Sequence, residues 1–91
     1  MNDLTAFQRD MLFVVSGLGA PKGVEVKDEL DAYYESEIHH GRLYPNLETL
    51  IERGLISKGQ KDNRTNEYTL TETGARAIEE RREWEANYRE G

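Results

Sequence analysis

Leu4, Phe7, Met11, Leu12, Val15 and Leu18 recur at intervals of three and four, the spacing that gathers apolar side chains on one side of an α-helix. Thr5 followed by Gln8 has the form of a capping box, so a first helix is predicted from about 6 to 17. The glycines and proline of "GLGAPKG" then turn the chain. Val26, Leu30 and either Tyr33 or Tyr34 mark the apolar face of a second helix, from about 23 to 35, with acidic residues opposite. In "GRLYPNLETLIERGLI", residues 41 to 56, Leu43, Leu47, Leu50 and Ile51 follow the same rule. Pro45 is tolerated in a first helical turn, whereas deeper in a helix it costs roughly 3 kcal/mol. This third helix is therefore expected to start near Gly41, with Gly54 closing it.

Beyond Gly54 the period changes. "LISKGQ" and "EYTLTE" are short runs with β-branched and aromatic residues, and "KDNRTN" between them is rich in turn formers. A β-hairpin with a basic tip is predicted. "TETGARAIEERREWEANY" then reads as a last helix, from 72 or 73 to about 89, capped by Thr71 or Thr73 and laced with Glu/Arg pairs.

Ninety-one residues suffice for one modest core. No apolar run approaches the roughly 18 residues of a membrane span, and the N-terminus lacks the basic start and apolar stretch of a secretory signal. A cytoplasmic protein is expected. The chain has no cysteine, which rules out disulfides, thiol catalysis and cysteine-bound zinc together.

The net charge of −6 argues against nucleic acid until its distribution is considered. Residues 1 to 38 carry three Lys/Arg against eight Asp/Glu, a net of −5, and residues 67 to 91 carry four against seven, a net of −3. Residues 39 to 66 carry five against three, a net of +2, so the basic segment is the third helix and the hairpin. On that helix Arg42, Asn46, Thr49 and Arg53 fall at i, i+4, i+7 and i+11, one face that is either simply solvated or a set of side chains suited to bases. His40, just ahead of the helix, is expected to be a loop residue or a phosphate contact. Tyr44 either packs in the core or offers its hydroxyl to a phosphate. Lys58, Lys61 and Arg64 suit backbone contacts from the hairpin. Adjacent histidines, His39 and His40, point apart, and with no second cluster beside them no metal site and no cofactor are expected. No Ser-His-Asp set, phosphate loop or paired-carboxylate cleft is evident, and the chain is not expected to be an enzyme.

Three helices, a hairpin and a trailing helix make a mainly α winged helix-turn-helix with a two-stranded wing. "GRLYPNLETLIERGLI" followed by "NEYTLTETGARAI" resembles the PadR-type transcriptional regulators over residues 4 to 80. The shared marks are Leu-Tyr-Pro near the start of the recognition helix, Gly-Leu-Ile entering the strand, and Tyr-x-Leu-Thr-x-x-Gly leading into the last helix. The chain reads "KGVE" and "HHGR" where the family commonly has His-Gly-Tyr and Ser-Pro-Gly-Ser, and one helix follows a short wing. The acidic balance, with eight Arg to four Lys, further resembles proteins of salt-loving archaea.

The resemblance implies a winged-helix DNA-binding domain over residues 1–74 and a dimerising helix over 75–91. Ala77, Arg81, Trp84 and Tyr88, with Ile78 beside them, form the stripe that either pairs two copies or docks on its own domain. The expected function is sequence-specific transcriptional regulation, as a repressor, by a homodimer on double-stranded DNA. The alternative is a winged-helix module that binds a basic protein partner and no DNA.

Overall fold

A computed structural model describes residues 1–60, 62 and 64–89. The elements run α1 (Ala6–Leu18), α2 (Gly23–Tyr34), α3 (His40–Glu52), β1 (Ile56–Gln60), β2 (Asn66–Leu70) and α4 (Glu72–Ala86), in the order the periodicity predicts.

The capping box at the start of α1 is complete: Gln8 N donates to Thr5 Oγ1 and Thr5 N to Gln8 Oε1, both at 3.1 Å. Phe7, Met11, Leu12 and Val15 are buried, whereas Leu18 is exposed because the helix ends there and Gly19 leads the chain away. In α2, Val26 and Leu30 face the core, and of the two tyrosines it is Tyr34 that turns inward while Tyr33 stays exposed. Asp31 organises the exit from α2, its Oδ1 accepting from Ile38 N at 2.7 Å while Lys27 Nζ donates to Oδ2 at 2.8 Å. Both bonds hold the Asp31 carboxyl below its ordinary pKa, the Lys27 ammonium first. Ile38, in the α2–α3 connection, is fully buried; a single apolar residue in a loop carries no period and sequence reading passed over it.

Leu43, Leu47 and Leu50 bury the inner side of α3. The helix begins at His40, so Pro45 is its sixth residue and lies past the first turn expected for it. The carbonyl that loses its donor is that of Gly41, which is exposed and open to water. Gly54 follows at φ 75°, a left-handed turn that suits glycine.

The hairpin is antiparallel, pairing Ile56 with Leu70, Lys58 with Tyr68 and Gln60 with Asn66. On its other side β2 bonds to the segment before α2, where Tyr68 N donates to Pro21 O at 2.9 Å and Lys22 bridges Glu67. Two residues are too short for a strand pattern, and the sequence did not announce this pairing. It ties the wing to the base of α2.

Thr71 is the cap of α4, accepting from Gly74 N at 3.0 Å and donating to Gly54 O at 2.6 Å. Gly74 lies against the chain entering β1: a Cβ there would sit 2.1 Å from Leu55 O, which no real contact allows. The Thr-x-x-Gly motif thus welds α4 to the first strand of the wing. Ile78 carries the helix into the core formed by α1, α2, α3 and the hairpin, and α4 ends at Ala86, a turn short of the expected limit. Among the described residues no helix is long and apolar enough to cross a membrane.

Candidate nucleic-acid interface

The core leucines of α3 divide its remaining surface into three strips. The strip opposite the core carries Pro45, Glu48 and Glu52, all exposed. The strip toward α1 carries Arg42, Asn46, Thr49 and Arg53, which share one face as their spacing predicts. The strip toward α2 and the wing carries His40 and Tyr44, whose rings meet edge to face at 5.7 Å.

Each side chain of the α1 strip already has a partner within the chain. The Arg42 guanidinium lies 3.9 Å from the centroid of the Phe7 ring. Asn46 accepts from Gln8 Nε2 at 2.9 Å and donates to Arg42 O at 2.7 Å. Thr49 Oγ1 returns a bond to Pro45 O at 3.1 Å, and Arg53 pairs with Asp3. Arg42 and Arg53 stay exposed, while Asn46 and Thr49 are half-buried, so the face is less free than its amphipathic pattern suggests. Beneath it, the Tyr34 hydroxyl donates to Asp10. Partial burial first, then that bond to a carboxylate, pushes the phenol up to about 12.

The opposite strip borders a cleft of about 250 Å³ between the start of α2, the start of α3 and the wing. Lys22, Gly23, Tyr44, Arg64, Thr65 and Asn66 line it. Tyr44 packs over Gly23, so that a Cβ on Gly23 would come 2.7 Å from the phenol oxygen, and the hydroxyl reaches the N-terminus of α2. Of the two roles expected for Tyr44, core packing is not the one observed: the ring is 36% exposed and lies at the rim of the cleft. Two cations, a phenol and a helix N-terminus make the cleft suited to an anion. Sequence reading named Tyr44 and Arg64 but missed Lys22, which reaches the site only through the bridge to β2.

On the wing, Lys58 Nζ lies 3.6 Å from Glu48 Oε1, so an acidic side chain of α3 partly neutralises it. The Arg64 backbone N–H donates to Asp62 Oδ1 at 2.8 Å, a turn that also holds the Asp62 carboxyl below its usual range. Lys61, expected as a further phosphate contact, lies outside the described residues.

The stripe of α4 expected to pair two copies divides in two. Ile78 is buried in the chain's own core and Ala77 packs against it. Trp84 is 51% and Tyr88 77% exposed, their ring centroids 5.1 Å apart, with the Arg81 guanidinium 4.5 Å above the indole. Only this distal half is free to meet another surface. No group of His, Asp and Glu able to hold a metal occurs among the described residues.

Three core helices, a two-stranded antiparallel hairpin and a trailing helix define a winged helix-turn-helix fold. The transcriptional regulator PadR-like family matches residues 11–80, and the chain belongs to it. Solved structures agree. RosR of H. salinarum is 48% identical, with TM-score 0.89, over 94% of this chain and 77% of that one. A complex structure of RosR superposes at TM-score 0.91 and 47% identity, covering 96% and 77% of the two chains. A winged-helix DNA-binding protein from STIV shares the fold at TM-score 0.71 and 19% identity, with 92% of both chains covered. No curated protein sequence matches. The family is one of transcriptional regulators, not of enzymes.

Proposed function

We propose that the protein is a sequence-specific DNA-binding repressor that acts as a homodimer in the cytoplasm of a salt-loving archaeon. The observation that carries this reading is the pairing of two unlike surfaces on α3. Arg42, Asn46 and Thr49 match guanine, adenine and the thymine methyl, and the Lys22, Tyr44 and Arg64 cleft beside them suits a phosphate. With α3 in the major groove, the α1 strip would read bases while the cleft and wing would hold the backbone. Arg53, His40 and Lys58 lie at the edges of that footprint. Repression needs nothing more than occupancy, since a bound dimer excludes other proteins from its site.

Trp84 and Tyr88 support the dimer, because an exposed aromatic pair on an otherwise charged helix suits a partner surface. A second copy would place two recognition helices about 34 Å apart and double the sequence read. The net charge of −6 and the identity with RosR of H. salinarum support the high-salt setting. Crowded carboxylates would then need screening, with the Debye length falling from about 10 Å at 0.1 M to about 3 Å at 1 M.

Genomic footprinting tests the central claim: discrete protected sites are expected, and their absence would favour a protein-interaction module. Light scattering tests assembly, with a dimer expected for the intact chain and a monomer for Trp84→Ala. The thermal midpoint should rise between dilute and molar KCl.

A further inference from the structure

The side chain of Gln8 is engaged at both ends. Its Oε1 accepts from Thr5 N at 3.1 Å and closes the α1 capping box, while its Nε2 donates to Asn46 Oδ1 at 2.9 Å. Asn46 is therefore held from two directions, because its own Nδ2 donates to Arg42 O at 2.7 Å. A primary amide has two lone pairs on oxygen and two N–H groups. With one of each engaged, Asn46 keeps one acceptor and one donor, the pair that an adenine edge requires, and its plane cannot flip without breaking both bonds.

We infer that Gln8 is a positioning residue for base recognition: it sets which end of the Asn46 amide accepts and which donates on the recognition face. The inference rests on the reading of α3 as the base-reading helix and adds a residue of α1 to it. The capping box supplies rigidity. Gln8 is anchored to the backbone of its own helix start, so Asn46 is oriented by main chain through one side chain. The ordering is present before DNA arrives, and the amide need not lose that freedom on binding.

Gln8→Glu separates this role from a structural one. Glutamate closes the same capping box, so α1 and the thermal midpoint are expected to persist. A carboxylate, however, accepts only, and it faces Asn46 Oδ1 with no proton to donate. Asn46 must then invert to present Nδ2, which sets its oxygen against Arg42 O, or leave the site.

The experiment uses a duplex selected from a random library by the wild-type protein, together with its single-base-pair variants. Gln8→Glu is expected to lower discrimination at one base pair by about tenfold, the scale of one bidentate contact. The affected position should be the one affected in Asn46→Ala, and the double variant should lose no more than Asn46→Ala alone. In the free protein, the side-chain amide resonances of Asn46 should shift in Gln8→Glu. A uniform loss across all duplexes would mean that the introduced carboxylate acts by charge alone and would overturn the inference, as would unchanged discrimination or unmoved Asn46 resonances. If Asn46→Ala itself leaves every base-pair preference intact, the base-reading assignment of α3 fails first, and the role of Gln8 with it.

Discussion

The two flanks of α3 are built on opposite plans. Toward α1, every polar side chain is already bound: Arg42 on Phe7, Asn46 on Gln8, Arg53 on Asp3. Toward α2 and the wing, Lys22, Tyr44 and Arg64 surround an open cleft. Under the proposed function, the difference matches what each flank would meet. Base edges demand a donor and an acceptor at fixed positions, which favours side chains held in advance, whereas a phosphate is satisfied by charge from several directions. Holding the first set has a limit, because the same contacts must yield or be shared when a base arrives.

If the two flanks do serve bases and phosphates, they fail differently. Arg42→Ala should have the largest effect, lowering affinity for the preferred duplex by about 1 to 3 kcal/mol while sparing unrelated duplexes, measurable by competitive binding titration. The same substitution should cost the free protein about 0.5 to 1 kcal/mol in denaturant unfolding, because the guanidinium no longer covers the Phe7 ring. Replacing Lys22 and Arg64 together by Gln should instead weaken all duplexes alike and flatten the plot of log affinity against log salt by about 0.9 for each phosphate no longer neutralised. A base-selective loss would merge the two flanks into one reading surface.

Two smaller effects sharpen the contrast. Glu48→Gln releases Lys58 and removes a carboxylate from the solvent strip, so non-specific affinity should rise by about threefold with stability nearly unchanged, the scale of one exposed ion pair. The Tyr34 phenol, pushed up to about 12, favours the folded state while protonated. Its contribution is complete below its ordinary 10 and is lost as pH rises from there toward 12. Tyr34→Phe should abolish the late step in the absorbance titration of the tyrosines. Asp31 works at the other extreme: its carboxyl is held low, so its contribution is present above the ordinary 3.8 and disappears as pH falls through the lowered value. Circular dichroism of Asp31→Asn should no longer show that acid-side loss.

Much of this was legible in the chain because it is periodic or local. Leu43, Leu47 and Leu50 announced α3, and Thr5 with Gln8 announced the start of α1. The shared face of Arg42, Asn46, Thr49 and Arg53 was equally readable. Which way that face points was not, since an amphipathic pattern separates core from surface without showing that α1 flanks the strip. Gln8 was visible as a capping residue, but its other end touches a residue 38 positions away. Lys22 joined the site through the two-residue pairing of Pro21 and Lys22 with β2, too short to leave a period. Pro45 misled because it is tolerated deeper in α3 than its chemistry suggests, where the bond-deprived carbonyl of Gly41 meets water. Long-range partners, not local propensities, were the unread part.

Gly74 gives the molecule a mechanical property. Its contact with the Leu55 backbone leaves no layer of side chains to absorb motion, so α4 and the start of β1 must turn as one piece. The helix extends 15 residues, or about 22 Å at 1.5 Å per residue, with the exposed Trp84 near its far end. Held at Gly74 and, one turn on, by Ile78 in the core, it projects from the wing as a stiff arm. Gly74 and Trp84 are ten residues apart, or about 15 Å along the helix, so a sideways shift of about 4 Å at Trp84 corresponds to a rotation of about 15° at the root of the hairpin. A partner gripping the aromatic pair at one end would thereby bear on the angle at which the hairpin leaves the other.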